Sequence, residues 1–400
     1  MTQYQVPSSR TKQFPSNQQP IWQKDKTSNW VVNTHLPVSY KIVESEDLFD
    51  IENQNLLFLD CNPPKPPIRR LVVIDERVYS LYGERIHKYF HAHAVEHHVL
   101  PLPISEQHKT MDAVFQILEA LVKFGIVRRH EPLIGIGGGV LLDIVGLAAS
   151  LYRRGIPYIR IPTNLMALID ASVGAKTGIN FLGYRNRIGT YYPPIAAFLD
   201  KTFLQTVDTR HISNGLGEIL KMGVVKDRKL FELLEEYGEQ LVEEKFQGSG
   251  VPNLVIQRSI EGMVEELEPN LWEKQLDRLV DFGHSFSPLV EMRALPELLH
   301  GEAVALDVLF SSILSVQRRL LSAEDLERII RTMKLLRLPL SHPLFCDSIL
   351  LSEALEDTIR HRNGLQRLPL PISIGYANFF NDVTFEEIDS AASKMKQLQF

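Results

Sequence analysis

The stretch DRLVDFGHSFSP, residues 277–288, puts one histidine, His284, downstream of two acids, Asp277 and Asp281. On a helix these positions are spaced i, i+4 and i+7 and share one face. The local pattern predicts a helix over 273–292. Acids beside a histidine suit a cation or a polyol; a solvated helix face is the plain alternative. Two further segments carry related chemistry. SNGLGEILKMGVV places Glu218 and Lys221 at i, i+3, on one helix face, and LLHGEAVALD supplies His300. One glutamate and two histidines are a reasonable set for zinc or cobalt, with positions left for substrate oxygens. Their separations are long, and spacing alone leaves each as readily an ordinary core residue.

A second chemistry sits upstream. IGIGGGVLLD places Gly135, Gly137, Gly138 and Gly139 at a strand-to-helix junction. Such a junction lets the backbone approach a pyrophosphate, and a helix N-terminus favours an anion. The pattern departs from the usual dinucleotide fingerprint, whose third glycine would fall at Val140, and a tight turn without ligand remains open. Asp75 ends the apolar run LVVID, where a carboxylate could accept a ribose hydroxyl or simply start a turn.

These residues need elements to hold them. Strand-like runs at 38–45, 71–75, 97–104, 132–139 and 158–162 alternate with helical periodicity at 81–94, 111–127 and 140–152. That alternation predicts a parallel α/β sheet. Beyond about residue 200 helical patterns dominate, over 209–225, 228–244, 252–267, 273–292, 301–319, 323–335 and 350–359. The expected architecture is an α/β domain over 31–204 and an all-α domain over 205–400. Residues 1–30, rich in Gln, Ser, Pro and Lys, read as a mobile tail. A formal net charge of -6 gives no footprint for nucleic acid. Two distant cysteines, Cys61 and Cys346, argue against a disulfide framework or a cysteine-based zinc site. The N-terminus lacks an apolar signal segment and no stretch approaches the roughly 18 apolar residues of a membrane span. A cytoplasmic protein is expected.

Taken together, GIGGGVLLDIVGLAASLYRRG, IPTNLMALIDASVGAKTGIN, RNRIGTYYPP, FLDKTFLQT, GLGEILKMGVV, FGHSFSP and HGEAVALD resemble the 3-dehydroquinate synthase superfamily, the sugar phosphate cyclases. The resemblance runs from about residue 70 to 310 and more weakly beyond. It implies a Rossmann-like NAD-binding α/β domain, a helical metal-binding domain and a homodimer. It implies zinc or cobalt on Glu218, His284 and His300. The cofactor positions it implies are Asp75, Glu106, Lys109, Gly138, Gly139, Val140, Asp143, Thr163, Asn164, Asp170, Lys176, Arg185 and Asn186. Asp170 matches an acid on the nicotinamide side, and Lys176 and Lys221 match lysines that hold substrate oxygens. Arg154 matches an arginine that reaches the neighbouring subunit's phosphate site. Two departures fall at the phosphate end: Arg185 replaces a usual lysine, and Arg360-His361-Arg362 stands roughly where a lysine pair is usual.

The dehydroquinate-forming members clamp a substrate carboxylate with a lysine and an arginine. Counted back from His284 without a gap, those positions hold Met263 and Asp277, which cannot do so. Asp281 replaces a usual asparagine and Pro288 a usual histidine. A substrate bearing a hydroxymethyl group in place of the carboxylate fits, and sedoheptulose 7-phosphate is the expectation, with Asp281 among the catalytic residues. The first competing reading is a cyclase that takes the same sedoheptulose 7-phosphate to desmethyl-4-deoxygadusol; behind it stand a 3-dehydroquinate-forming, carboxylate-processing cyclase, a dehydrogenase with net NAD turnover, and a non-catalytic sugar phosphate sensor. The last is disfavoured because every metal-ligand position is retained.

Overall fold

The computed structural model describes residues 22–24, 30–57 and 68–398 of the chain. It divides into two compact units, 1–39 and 40–400. In the first, β1 (Trp22–Lys24) pairs antiparallel with β2 (Trp30–Val32). The remainder of the tail expected over 1–30 lies outside the described residues, as does Cys61.

The second unit opens with β3 (Lys41–Ser45), β4 (Ile68–Asp75), α1 (Glu76–Ala92), β5 (Val95–Leu102), α2 (Met111–Phe124), β6 (Leu133–Gly137), α3 (Gly139–Leu151) and β7 (Tyr158–Pro162). A hairpin follows, β8 (Lys176–Phe181) and β9 (Tyr184–Tyr191), and then β10 (Ala196–Asp200). Six strands form one parallel sheet in the order β3-β10-β7-β6-β4-β5. Three of its inner strands, β6, β7 and β10, are buried along their whole length, as LIGIG and YIRIP require for a sheet covered on both faces. The chain leaves β4 toward β5 on one side and β6 toward β7 on the other. The crevice between the C-terminal ends of β4 and β6 is therefore the topological switch point, where such sheets bind ligands.

Within this half α2 shows how sequence sets local structure. Ala113, Val114, Ile117, Ala120 and Leu121 line one face, and Gly125 ends the helix at φ 67°. The β8–β9 hairpin escaped the sequence reading. Its two-residue turn, Leu182-Gly183, has φ 50° and 79°, the twist such hairpins favour, but Leu at the first position hides the signal.

The second half contains α4 (Thr209–Val225), α5 (Arg228–Glu243), α6 (Val251–Leu267), α7 (Ser287–Ala294), α8 (His300–Gln317), α9 (Ala323–Leu335), α10 (Ser348–His361) and α11 (Phe385–Gln397). Six of the expected helices form within two residues of their predicted ends. α8 is the axis: residues 301–315 are all buried, in keeping with a sequence apolar on every side. No helix among the described residues is long and apolar enough to cross a membrane.

Two expectations need correction here. The helix over 273–292 does not form; residues 273–278 are irregular, 279–281 make a single 3-10 turn, and only α7 is helical. Gly283, at φ 74°, and Pro288 confine the helix to the end of that stretch. Asp277, Asp281 and His284 therefore share no helix face. Nor is the second half purely helical. β11 (Leu368–Ser373) and β12 (Tyr376–Phe380) form a hairpin beside α8 and α4. The prolines of LPLPIS read as breakers, yet a two-stranded ribbon tolerates them where no partner strand needs the amide.

Candidate active site

Gly138 caps α3 with no side-chain hydrogen bond, so the first-turn amides of α3 face the switch point without a side-chain acceptor. A methyl group on Gly137 would lie 3.4 Å from Cβ of Asp75, and one on Gly138 would collide with Asn164. The glycine turn and Asp75 thus meet where the topology predicts. Asp75 accepts from the amide of Arg77 as the cap of α1, and burial raises its carboxyl above the usual range. The amide of Thr163 donates to Gly137, and the side chain of Asn164 caps the following turn at Ala167. Lys109 is buried and donates to Asp143 at 2.7 Å and to Asn186 at 2.6 Å. Asn186 sits at φ 52° on β9, and its amide donates to Asn180, whose side chain donates to Glu106. An uncapped helix N-terminus beside a cation and an acid at a sheet end is a donor set that fits a dinucleotide.

Asp170 lies in a π-helical turn, Ala167–Ala171, a distortion common at functional sites. Burial, and then the charge on Glu218, push its carboxyl upward. Arg160 on β7 holds the next loop: its guanidinium donates to the carbonyls of Ala171, Gly174 and Lys176. Sequence reading missed it, since an arginine inside an apolar strand carries no local mark of its partners. Lys176 reaches out of β8 to Glu273 at 2.8 Å. Arg154 is exposed at the end of α3, and Arg153, Arg154 and Gly155 all have positive φ, at 50°, 64° and 111°.

The metal candidates converge. Ligand atoms of Glu218, His284 and His300 all lie within 4.8 Å of one another. Two glycines make this possible. A methyl group on Gly217 would lie 2.2 Å from the carbonyl oxygen of Gly301, and one on Gly301 1.8 Å from that of Asn214. Without side chains there, α4 meets the start of α8 backbone to backbone, and the adjoining Glu218 and His300 face each other. Asn214 closes the contact by accepting from the amide of Gly301 at 2.7 Å.

Glu218 Oε1 lies 3.1 Å from His300 Nε2 and 3.5 Å from His284 Nε2. Ligands about 2.1 Å from a tetrahedral ion are spaced about 3.4 Å apart, close to these separations. Both carboxylate oxygens of Glu218 are buried, and their neighbours are the two histidines and Lys221 rather than backbone or hydroxyl donors. Lys221 Nζ stands 2.5 Å from Oε2 and donates to the carbonyl of Val280. Burial alone would raise the Glu218 carboxyl; Lys221, His284 and His300 outweigh it and hold it well below the usual range. Burial and the Lys221 ammonium keep His284 neutral, as a metal ligand must be. Its Nδ1 sits 3.2 Å from the carbonyl of Phe282, a placement that leaves Nε2 for the ion. These residues fit a divalent metal.

Two supporting acids escaped the sequence reading. Glu291 on α7 lies 2.9 Å from His300 Nδ1 and 2.5 Å from Arg185 Nη1. Burial would raise its carboxyl, but Arg185 and His300 bring it down to about 2. Arg185 is thus bound into the metal surround, 3.7 Å from Glu106 on its other side. Glu273 links Lys176 to Arg278, and Arg278 grips Asp281 through Nε and Nη2. Arg362 is buried and donates to Ser285, while Arg360 is exposed beside Glu356. Met263 is buried on α6, and Asp277 is half exposed and bound to Arg367 at 2.7 Å.

Comparisons with known proteins agree with this geometry. A family model for the 3-dehydroquinate synthase N-terminal region matches residues 99–214, and one for its C-terminal region matches 215–361. A 2-epi-5-epi-valiolone synthase from Streptomyces hygroscopicus subsp. jinggangensis is 52% identical over 90% of this chain and 88% of its own length. One from Actinomyces sp. is 49% identical over 93% and 98%. The solved structure of ValA, the 2-epi-5-epi-valiolone synthase of Streptomyces hygroscopicus subsp. jinggangensis 5008, has NAD+ and Zn2+ bound. It superposes with a TM-score of 0.86 at 50% identity, covering 92% of this chain and all of that one. By both family models and by relatives of about half identity along nearly its whole length, the chain belongs to the 3-dehydroquinate synthase family.

Proposed function

We propose that the chain cyclises sedoheptulose 7-phosphate to 2-epi-5-epi-valiolone with loss of phosphate, using NAD and a divalent metal. The observation that carries this is the high identity to 2-epi-5-epi-valiolone synthases along nearly the whole chain. The clustered Glu218, His284 and His300 support it. The work divides between an NAD-binding part over 31–204 and a metal-binding part over 205–400.

When bound, the nicotinamide supplies a hydride acceptor for one secondary hydroxyl carbon and a hydride donor after elimination, so NAD is unchanged over a turnover. The metal supplies a Lewis acid for the oxygen on that carbon. The chain's residues do the rest. Glu218, His284 and His300 hold the ion, with Glu291 orienting His300 through Nδ1. Asp75, Glu106, Lys109, Gly138, Gly139, Val140, Asp143, Thr163, Asn164 and Asn186 line the dinucleotide path. Asp170 would stand on the nicotinamide side of the bound substrate, and burial lets its carboxyl keep a proton more readily than an ordinary acid. Lys176 and Lys221 hold substrate oxygens, Lys176 from β8 and Lys221 from beside Glu218. Oxidation of the hydroxyl acidifies the neighbouring C–H. That proton and the phosphate group of the next carbon are lost as hydrogen phosphate, and after re-reduction and ring opening the enol attacks the ketone to close the carbocycle.

The test is to incubate the protein with catalytic NAD and zinc or cobalt, on sedoheptulose 7-phosphate and separately on the seven-carbon sugar acid phosphate. Phosphate release from sedoheptulose 7-phosphate alone, with an NMR spectrum of 2-epi-5-epi-valiolone, is expected. Release from the sugar acid alone would overturn the reading.

A homodimer is part of the proposal, with Arg154 serving the partner's phosphate site. Arg154 is exposed and has no ion-pair partner among the described residues, and its left-handed backbone presents it outward. Mixing Arg154→Ala subunits with His300→Ala subunits should restore up to about a quarter of wild-type activity, because one composite site per heterodimer is intact. Verified heterodimers that stay inactive would refute the arrangement.

A further inference from the structure

The largest fully buried side chain among the described residues is a charged one, Arg160. It stands in the middle of β7, paired with β6 at Gly135 and with β10 at Ala197. Its guanidinium lies 5.4 Å from the Tyr158 ring and is met by carbonyls rather than by an acid. Nη1 donates to Ala171 at 2.7 Å and to Gly174 at 2.5 Å, and Nη2 donates to Lys176 at 2.8 Å. A buried charge is costly, and these carbonyl dipoles offset the cost only while they stay in place.

All three carbonyls belong to one short loop. It runs from Asp170, in the π-helical turn, to Lys176, the first residue of β8. The amide of Val173 donates to Asp170, the hydroxyl of Tyr40 to Val173 at 2.6 Å, and the amide of Tyr192 to Ala175. Six of the seven carbonyls from 170 to 176 therefore have a donor, and Arg160 serves three of the six. Val173 and Ala175 are buried, whereas Lys176 projects outward. Buried loop carbonyls need donors from elsewhere. An arginine fork offers several at fixed angles, where a lysine is a single point. Two residues beyond Gly135, its partner on β6, stands Gly137 of the cofactor turn. One side chain thus refers Asp170 and Lys176 to the strands that carry that turn.

We propose that Arg160, assisted by Tyr40, is a positioning residue that fixes the Asp170–Lys176 loop against the cofactor-bearing strands, so that acid and lysine meet the substrate at a set distance from the nicotinamide. The inference rests on the proposed cyclisation and names what holds two of its residues. Hydride transfer needs a near-attack geometry, and a misplacement of about 1 Å can cost about 100-fold. Burial and Glu218 raise the Asp170 carboxyl, and the cations opposing them are Lys221, Lys176 and His300, so Arg160 serves that acid through the backbone.

The test measures kcat, KM for NAD and bound metal in the holoenzyme. Arg160→Lys should lower kcat about 10- to 100-fold, with KM for NAD within about threefold of wild type and metal per chain unchanged. An arginine needed only for folding would instead lower activity, NAD binding and metal content in step with the folded fraction, read by circular dichroism. Tyr40→Phe, which removes one donor and no charge, should lower kcat about three- to tenfold in the same pattern. It carries the test alone if Arg160→Lys does not fold. Phosphate release from sedoheptulose 7-phosphate by the wild-type protein checks the cyclisation separately. If that fails, the functional reading falls, and the variants are compared on the sugar phosphate the protein does take. A kcat within about twofold of wild type in either folded variant, or a loss that tracks NAD and metal binding, overturns the proposal.

Discussion

With Glu218 replaced by alanine, phosphate release from sedoheptulose 7-phosphate is expected to fall by about three orders of magnitude or more, since a Lewis acid is worth several kcal/mol and each 1.4 kcal/mol is tenfold. The purified variant should also retain little divalent metal after desalting, measured by atomic absorption. The geometry gives the reason. Glu218 is the one carboxylate among the three ligands, and its Oε1 lies within 3.5 Å of both histidines. It also neutralises Lys221, which is buried beside it, so the variant carries a second lesion: an ammonium without its counter-charge. His284→Ala separates the two effects, because it removes a neutral ligand and leaves the Glu218–Lys221 pair intact. Glu291→Gln should be milder, weakening metal affinity by about 10- to 100-fold while leaving the ligands in place. Full activity in Glu218→Ala or His284→Ala would refute the metal assignment; unchanged affinity in Glu291→Gln would mean His300 is oriented by Arg185, whose Nη1 lies 2.6 Å from the same Nδ1.

The sheet and most helices were legible because each is a local matter. Continuous apolar runs such as LVVID and YIRIP mark strands covered on both faces, and the spacing in α2, α5 and α9 marks helices with one buried side. The ligand residues carried a weaker local sign. GLGEIL and HGEAVALD each place a glycine beside a ligand, and the close approach of Gly217 and Gly301 is what those glycines serve. The loop over 271–286 was illegible as such. Its charges, read as a solvated or polyol-binding helix face, instead pair inside the loop, Arg278 with Glu273 and Asp281, and reach distant residues, Glu273 to Lys176 and Asp277 to Arg367. A helix-like spacing of acids says nothing about such partners. Glu291 and Glu273 look like surface acids in the chain and are largely buried in the fold. Asp307 is different. It interrupts a helix apolar all round, where an acid must be either paired or fatal, and that signal could have been used.

Asp307→Ala should be among the most damaging single changes outside the metal ligands. The side chain is fully buried on α8, and its Oδ2 accepts three backbone amides, from Ser285, Phe286 and Ser287, at 3.0, 2.6 and 2.8 Å. Oδ1 accepts from the Ser311 hydroxyl at 3.1 Å. The three amides belong to the turn that follows His284 and begins α7, where a helix has no acceptors of its own. α8 therefore holds the metal site twice, directly through His300 and indirectly through Asp307, which fixes the turn carrying His284. Burial raises the Asp307 carboxyl, opposed by these amides, so its hydrogen bonds rather than solvent support the charge. Alanine would leave three buried donors without an acceptor, at about 1–3 kcal/mol each, for a total loss of about 3–5 kcal/mol after relaxation. That is a large fraction of the roughly 5–15 kcal/mol that stabilises an ordinary domain. Asparagine keeps the volume and one acceptor oxygen and should lose only about 1–2 kcal/mol, the difference between charged and neutral hydrogen bonds. Urea unfolding of the chelated protein measures the first effect, and metal competition against a chelating dye measures the second. If the turn is held as described, both variants bind metal more weakly, alanine more than asparagine, in the same order as their midpoints fall. A midpoint and metal affinity unchanged in Asp307→Ala would mean that the His284 turn stands without α8.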